Sequence, residues 1–323
     1  MKRFFRFTLL LSLATWLAGC AEEPLHEEFP IVFSMDGGLD VALTKSVISN
    51  ANLGSGNTVK VYADKGGVPH PNFNPALVSK NASYWSPSPK VLWEYNQNYA
   101  FRGYAYSNSG VTGVSNNGYS FTVIQPTSYS SVNMVDYVFS NVAEVTTIKG
   151  SSYPDHVSLT FDHVLPAIEV YVTCAEGMRD VTVTELTLSG LYYSAEMQYS
   201  EKESTWLYTN KLTPDASYSV ENLSVGNDGA STQARINLIS VPQILSDDAR
   251  LVVSYRVNES MDSTPVYRDL TQTFMLKNYL DRIVSGHRTI IHMDIDTGIH
   301  LRATIAPWTR VDYIEGIVLP PLD

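Results

Sequence analysis

The chain has 323 residues and a formal net charge of −11, with 44% hydrophobic and 11% aromatic residues. That composition can fill folded cores, and the length suits about two domains. The acidic balance, with no cluster of lysines or arginines, excludes the phosphate-neutralising surface that nucleic-acid binding needs.

Lys2, Arg3 and Arg6 precede an almost wholly apolar, uncharged run over residues 7–17. A basic start followed by a short greasy segment reads as a secretory signal. The run is too short to cross a bilayer core of ~30 Å as a helix, and no later stretch is long or apolar enough either. Leu17-Ala18-Gly19-Cys20 resembles the lipobox of bacterial lipoproteins, in which the peptidase cuts before the cysteine and its thiol carries a diacylglycerol. The resemblance implies that residues 1–19 are a lipoprotein signal peptide and that Cys20 tethers the protein to a membrane, since two or more acyl chains give lasting attachment. Without residues 1–19 the chain keeps 19 basic and 33 acidic residues, a net of −14. Cys174 is then the sole cysteine side chain left, so no intrachain disulfide is expected and stability must come from packing. It follows the apolar alternation Ile168, Val170, Val172, so it is expected as a small buried hydrophobe.

Residues 20–30 form an acidic, proline-broken stretch suited to a solvated spacer between lipid and fold. Acids this soon after the cysteine resemble the export signals that send some lipoproteins to the outer face of the outer membrane. Beyond the spacer the apolar rhythm has a period of two. "TVKVYA" places Val59, Val61 and Ala63 on one side, "HVSLTF" does so with Val157, Leu159 and Phe161, and "RLVVSYRV" and "IHLRATI" repeat the pattern. Such alternation predicts half-buried strands, and the intervening "NLGSGN", "SNSGVTGVSNNG" and "SVGNDG" predict turns. No stretch sustains helical spacing over three turns. The expected fold is therefore all-β, antiparallel β-sandwich, with short helices at most. In "DVTVTELTL" the apolar phase changes between Val183 and Leu186, which predicts a bulge or bend. Glycine, serines and a proline at 148–156 suggest a boundary, with one β-sandwich domain over residues 31–153 and a second over 154–323.

Several stretches then resemble one family. "YWSPSPKVLW" followed by "NYAFRGYAYS" is similar to the N-domain of the fimbrillins, the Mfa-like subunits of type V pili. "VSLTFDHVLPAIEVYV" resembles their domain-linking signature, with Pro166-Ala167 where the family usually has Ala-Lys. "LISVPQIL", "SGHRTIIHMDI" and "LRATIAPW" resemble their second domain, in the same order, although Gly286 here follows "LDRIV" rather than a tryptophan. The resemblance implies two tandem transthyretin-like domains, made as a lipoprotein, carried to the cell surface and polymerised by strand exchange with other pilin subunits after a protease frees the first strand. An adhesion target on a host or bacterial surface is implied with it.

Two segments can supply those parts. "PIVFSMDGG" offers an apolar first strand, Ile31 to Met35, and Lys45-Ser46 beyond it occupies a position resembling the family's processing site, where the family more often has arginine. A lone lysine is otherwise an ordinary surface charge. The tail, residues 309–323, carries Val311, Tyr313, Ile317 and Leu319 before Pro320-Pro321 forbid further pairing. It is either a donor strand or packs on its own sheet. The seven histidines are scattered and make no zinc pattern, and no nucleophile elbow or phosphate-cradling glycine loop occurs. The chain is thus expected to be no enzyme, with neither cofactor nor metal. His163 is expected as a hydrogen-bonded core residue. The rival reading is a surface lipoprotein that captures glycans for uptake, using Tyr84-Trp85, Trp93, Tyr192-Tyr193 and Trp206 as a stacking platform. A tip or anchor subunit that does not polymerise as stalk lies between the two.

Overall fold

A computed structural model describes residues 29–37, 39, 48–49, 53, 59–81, 83–107, 110–129, 133–174, 181–211, 214–225, 236–258, 260, 264–295 and 298–308. In the first half the strands are β1 (Phe33–Gly37), β2 (Val59–Lys65), β3 (Val68–Pro69), β4 (Ala76–Asn81), β5 (Tyr84–Pro87), β6 (Asn98–Tyr106), β7 (Val111–Thr112), β8 (Ser120–Ile124), β9 (Tyr137–Ser140), β10 (Ala143–Thr146) and β11 (Val157–His163). The period-two pattern has its expected effect. β11 buries Val157, Leu159, Phe161 and His163 and exposes the three residues between them.

Seven of these strands close on themselves in the order β6-β9-β11-β1-β5-β4-β2, with β2 returning to β6. The closing pair is long, running from Lys60↔Tyr104 to Lys65↔Tyr99. Where the sequence predicts a sandwich of separate sheets, the first half is therefore a barrel-like sheet. Alternation cannot separate the two, because both put every second side chain inward. The interior holds Phe73, Phe101, Phe161, Val61, Leu159 and Trp93, among others, in one buried cluster. β11 lies past the 148–156 stretch, yet it belongs to this first sheet through β1 and β9.

The second half contributes β12 (Ala167–Cys174), β13 (Thr182–Leu191), β14 (Ser194–Ser200), β15 (Thr205–Lys211), β16 (Ala216–Ser224), β17 (Ile236–Ile239), β18 (Gln243–Ile244), β19 (Arg250–Asn258), β20 (Tyr267–Met275), β21 (Arg282–Ile283), β22 (His287–Ile295) and β23 (Ile299–Pro307), with one 3-10 turn at Leu276–Asn278. Two four-stranded sheets, β17-β12-β22-β23 and β16-β13-β19-β20, bury their apolar faces in a single cluster. Cys174 lies in it as a buried thiol, as its position in the sequence predicts, and burial raises its pKa. The predicted irregularity in β13 is present, since its pairing with β19 slips between Val183 and Glu185. A second slip, against β16, falls at Ser189/Leu191. There Gly190 has φ +74°, and a Cβ would run into the carbonyl of Asp248, so two constraints at once demand glycine.

The expectation of purely antiparallel sheets is corrected at two places. β1 runs parallel to β11 and β12 runs parallel to β22. Each pair joins an early strand of one half to a late one, a direction that local patterning does not encode. A third four-stranded sheet, β15-β14-β8-β7, takes strands from both halves, with β8 against β14 from Ser120↔Gln198 to Ile124↔Ser194.

Candidate functional site: the first strand and its groove

β1 fills the gap between β11 and β5. Toward β11 it pairs over five residues, Phe33↔Val157 to Gly37↔Phe161. Toward β5 the register pair among the described residues is Phe33↔Trp85, supplemented upstream by a Pro30↔Leu92 bridge, with the N–H of Ile31 donating to the Val91 carbonyl (2.8 Å) and that of Trp93 donating to the Phe29 carbonyl (3.0 Å). One side of β1 is therefore a full ladder and the other a few stitches.

Phe33 of β1 and Ile31 just before it are completely buried. Phe33 lies edge-on to Phe73 and Phe101 at 5.8 and 5.5 Å, and those two rings meet each other at 5.6 Å and 89°. On the opposite face the hydroxyls of Ser34 and Ser158 meet at 3.1 Å. Burying two such side chains stabilises the strand by about 3–6 kcal/mol before ordering costs. Without β1 the backbones of β5 and β11 would face each other across an unfilled slot floored by Phe73, Phe101 and Leu159, the template that invites a replacement strand. The floor depends on a missing side chain: a Cβ on Gly103 of β6 would stand 2.6 Å from the Phe161 ring.

The chain beyond β1 is anchored at separate points. Leu39 and Ile48 are buried, and the Ile48 N–H donates to Asp136 Oδ2 at 2.9 Å. Asp136 is fully buried and also bonds His163 Nδ1 at 3.1 Å, so His163 is a hydrogen-bonded core residue as its setting predicts. The His163 ring stacks on Trp308 at 3.9 Å and 12°. Trp308 in turn donates its backbone N–H to Gly286, whose own N–H donates to Val164. One junction thus gathers the segment after β1, the end of β11, the link into β12 and the residue that closes β23. Asp136, which nothing in local sequence singles out, is its hub.

Cys20, Lys45, Ser46 and the tail residues Val311, Tyr313, Ile317 and Leu319 lie outside the described residues. The aromatic platform is corrected in its arrangement: Tyr84 is exposed, but the other rings do not join it on one surface. Trp85 and Trp93 are core residues of the first half, whereas Tyr192, Tyr193 and Trp206 pack against the other cluster, where Trp206 meets Phe121, Tyr137 and Phe139. Ring burial decided this, because strand faces need large side chains whether or not a ligand exists. Among the described residues no three His, Cys, Asp or Glu side chains converge to hold a metal.

A sequence model described as fimbrillin-like matches residues 44–308. The chain belongs to the fimbrillin-like family. Among solved structures, a fimbrial protein from Bacteroides vulgatus has the same fold, with a TM-score of 0.60 at 16% identity over 87% of this chain and 99% of that one. Candidate cell-adhesion proteins from Bacteroides ovatus and Bacteroides uniformis align with TM-scores of 0.55 and 0.52, each at 12% identity, covering 88% and 89% of this fimbrillin-like chain and 99% and 100% of their own. At such identities the likeness is one of fold. A comparison with curated proteins finds no match.

Proposed function

We propose that this fimbrillin-like protein is a structural and adhesive subunit of a surface pilus, assembled by proteolytic removal of β1 and insertion of another subunit's strand into the slot. The observation that carries the reading is the asymmetry of β1, an inward-anchored strand fully laddered to β11 and barely stitched to β5. In sequence, Lys45-Ser46 stands between β1 and the buried Ile48, so a cut there would release β1 and leave Ile48 on Asp136. The reading includes lipid attachment at Cys20, passage to the outer membrane surface, and two tandem transthyretin-like units, with the expected division at residue 153 moved past β11 because β11 pairs with β1 and β9. The family and the fimbrial and adhesion relatives support a non-enzymatic, surface-exposed role. Residues 309–323 are the proposed donor, since they follow Trp308 at the junction where the first half's slot and the second half's last strand come together.

N-terminal sequencing of shed surface protein tests the cut: a start at Ser46 supports it, and an intact lipid-modified Cys20 on polymerised protein rejects it. A chain ending at Trp308 should fail to join fibres, and normal incorporation would remove the tail from the donor role.

A further inference from the structure

Beside the start of β1 lies an open basin of about 720 Å³ whose lining includes Phe29, Tyr84, Tyr95, Ser152, Tyr153 and Asp155. Phe29, Tyr84 and Tyr95 are each 40–45% exposed, an unusual concentration of rings facing water. They are not loose. Tyr95 lies near-parallel to Tyr153 at 4.9 Å, and Tyr153 lies parallel to the buried Trp93 at 6.0 Å and 8°, while Phe29 tilts against Tyr153 at 5.2 Å. Tyr84 stacks on His156.

The backbone beneath Tyr95 is also held in an uncommon shape. Asn96 has φ 56°, and its side-chain oxygen accepts the Lys149 N–H at 3.1 Å. Buried Thr147 donates its hydroxyl to the Glu94 carbonyl at 2.6 Å and accepts the Gln97 N–H at 3.0 Å. A strained, multiply tied turn carrying a half-exposed aromatic is a preorganised surface, of the kind that concentrates at functional sites.

We propose that this basin binds a neutral pyranose unit of a glycan. The rings supply negative π faces for the polarised C–H face of a sugar. Ser152 and the carboxylate of Asp155 supply hydrogen-bond partners for its hydroxyl rim, the mix of apolar walls and a few polar groups that ligand sites share. Charge selects against acidic sugars: among the described residues Asp155 is the charged one in the lining, on a chain of net −11. A fatty acyl chain is a poor match, because the basin is open and edged with hydroxyl and carboxylate groups.

The inference does not rest on strand exchange, and either can fail while the other holds. Phe29 precedes Lys45, so the test uses the uncut full chain. Saturation-transfer NMR with maltose, lactose and mannobiose should show contact with at least one of them. Tyr95→Ala should abolish that contact and Asp155→Asn should weaken binding about tenfold, with circular dichroism unchanged. Absence of contact with all three sugars, contact retained in Tyr95→Ala, or equal binding of sialyllactose would each overturn the proposal.

Discussion

His70 is nearly fully buried, packs on Phe73 at 5.4 Å beneath the slot that β1 fills, and accepts the Asn72 N–H on Nδ1. Burial, with help from Lys65, lowers its pKa. The unfolded chain then takes the proton more readily than the fold, so stability is fully present above about pH 6.5 and is lost as pH falls through that value toward the lowered folded pKa. His70→Asn keeps an acceptor for Asn72 but cannot titrate. Its thermal midpoint should fall less than that of the parent between pH 7.5 and 5.5, and parallel falls would exclude His70 as the cause. Glu169 presents a different buried charge. Fully buried, it is held by Arg288 Nε and Nη2 at 2.6 and 2.7 Å and by the Tyr171 hydroxyl. Arg288→Met strands that carboxylate and should cost about 3–5 kcal/mol in denaturant titration, whereas adding Glu169→Met should restore most of the loss.

At the scale of the element, β1 is distinguished by where its bonds go. β12 and β22, the other parallel pair, are matched over eight residues, and β22 is also paired with β23 along its length. β1 has five residues of ladder on one side and a single register pair on the other. Local opening draws on such differences. Amide exchange followed by mass spectrometry should therefore show residues 33–37 exchanging well before 287–295; equal protection would mean that β1 opens only with the whole fold. Phe33→Ala should destabilise by about 3–5 kcal/mol, the cost of removing a fully buried ring, and should speed exchange in β1 above all. The period-two pattern of "FSMDG" and its neighbours makes a strand here legible from sequence. That its partner is β11, more than a hundred residues away, is not.

Across the whole molecule, the two halves are joined by more than a linker. The β8–β14 ladder crosses between them, Trp206 of β15 packs against Phe121, Tyr137 and Phe139 of the first half, and Arg102 binds Asp64 at 2.9 Å while approaching Glu201 of the second half at 3.6 Å. Arg102 is also flanked by the rings of Tyr62 and Tyr119 at 5.1 and 4.5 Å. Coupling through a shared sheet and core predicts one unfolding transition. Calorimetry should show a single peak, and Trp206→Ala, by opening a cavity at the seam, should lower it and split it in two. Two peaks in the parent protein would show that the halves unfold independently.

Composition and alternation were sufficient for the all-β class, the buried thiol at Cys174 and the slip near Val183, because strand faces and turns are set by residues close in sequence; the family was legible only through the likeness of its motifs. Closure of the first sheet through β2 and β6, the two parallel pairs, the sheet shared between halves and the sorting of tryptophans into cores rather than a platform were decided by tertiary structure. Each depends on which distant backbone edges meet. A side-chain period of two says which way a residue points, and it is silent about the strand alongside.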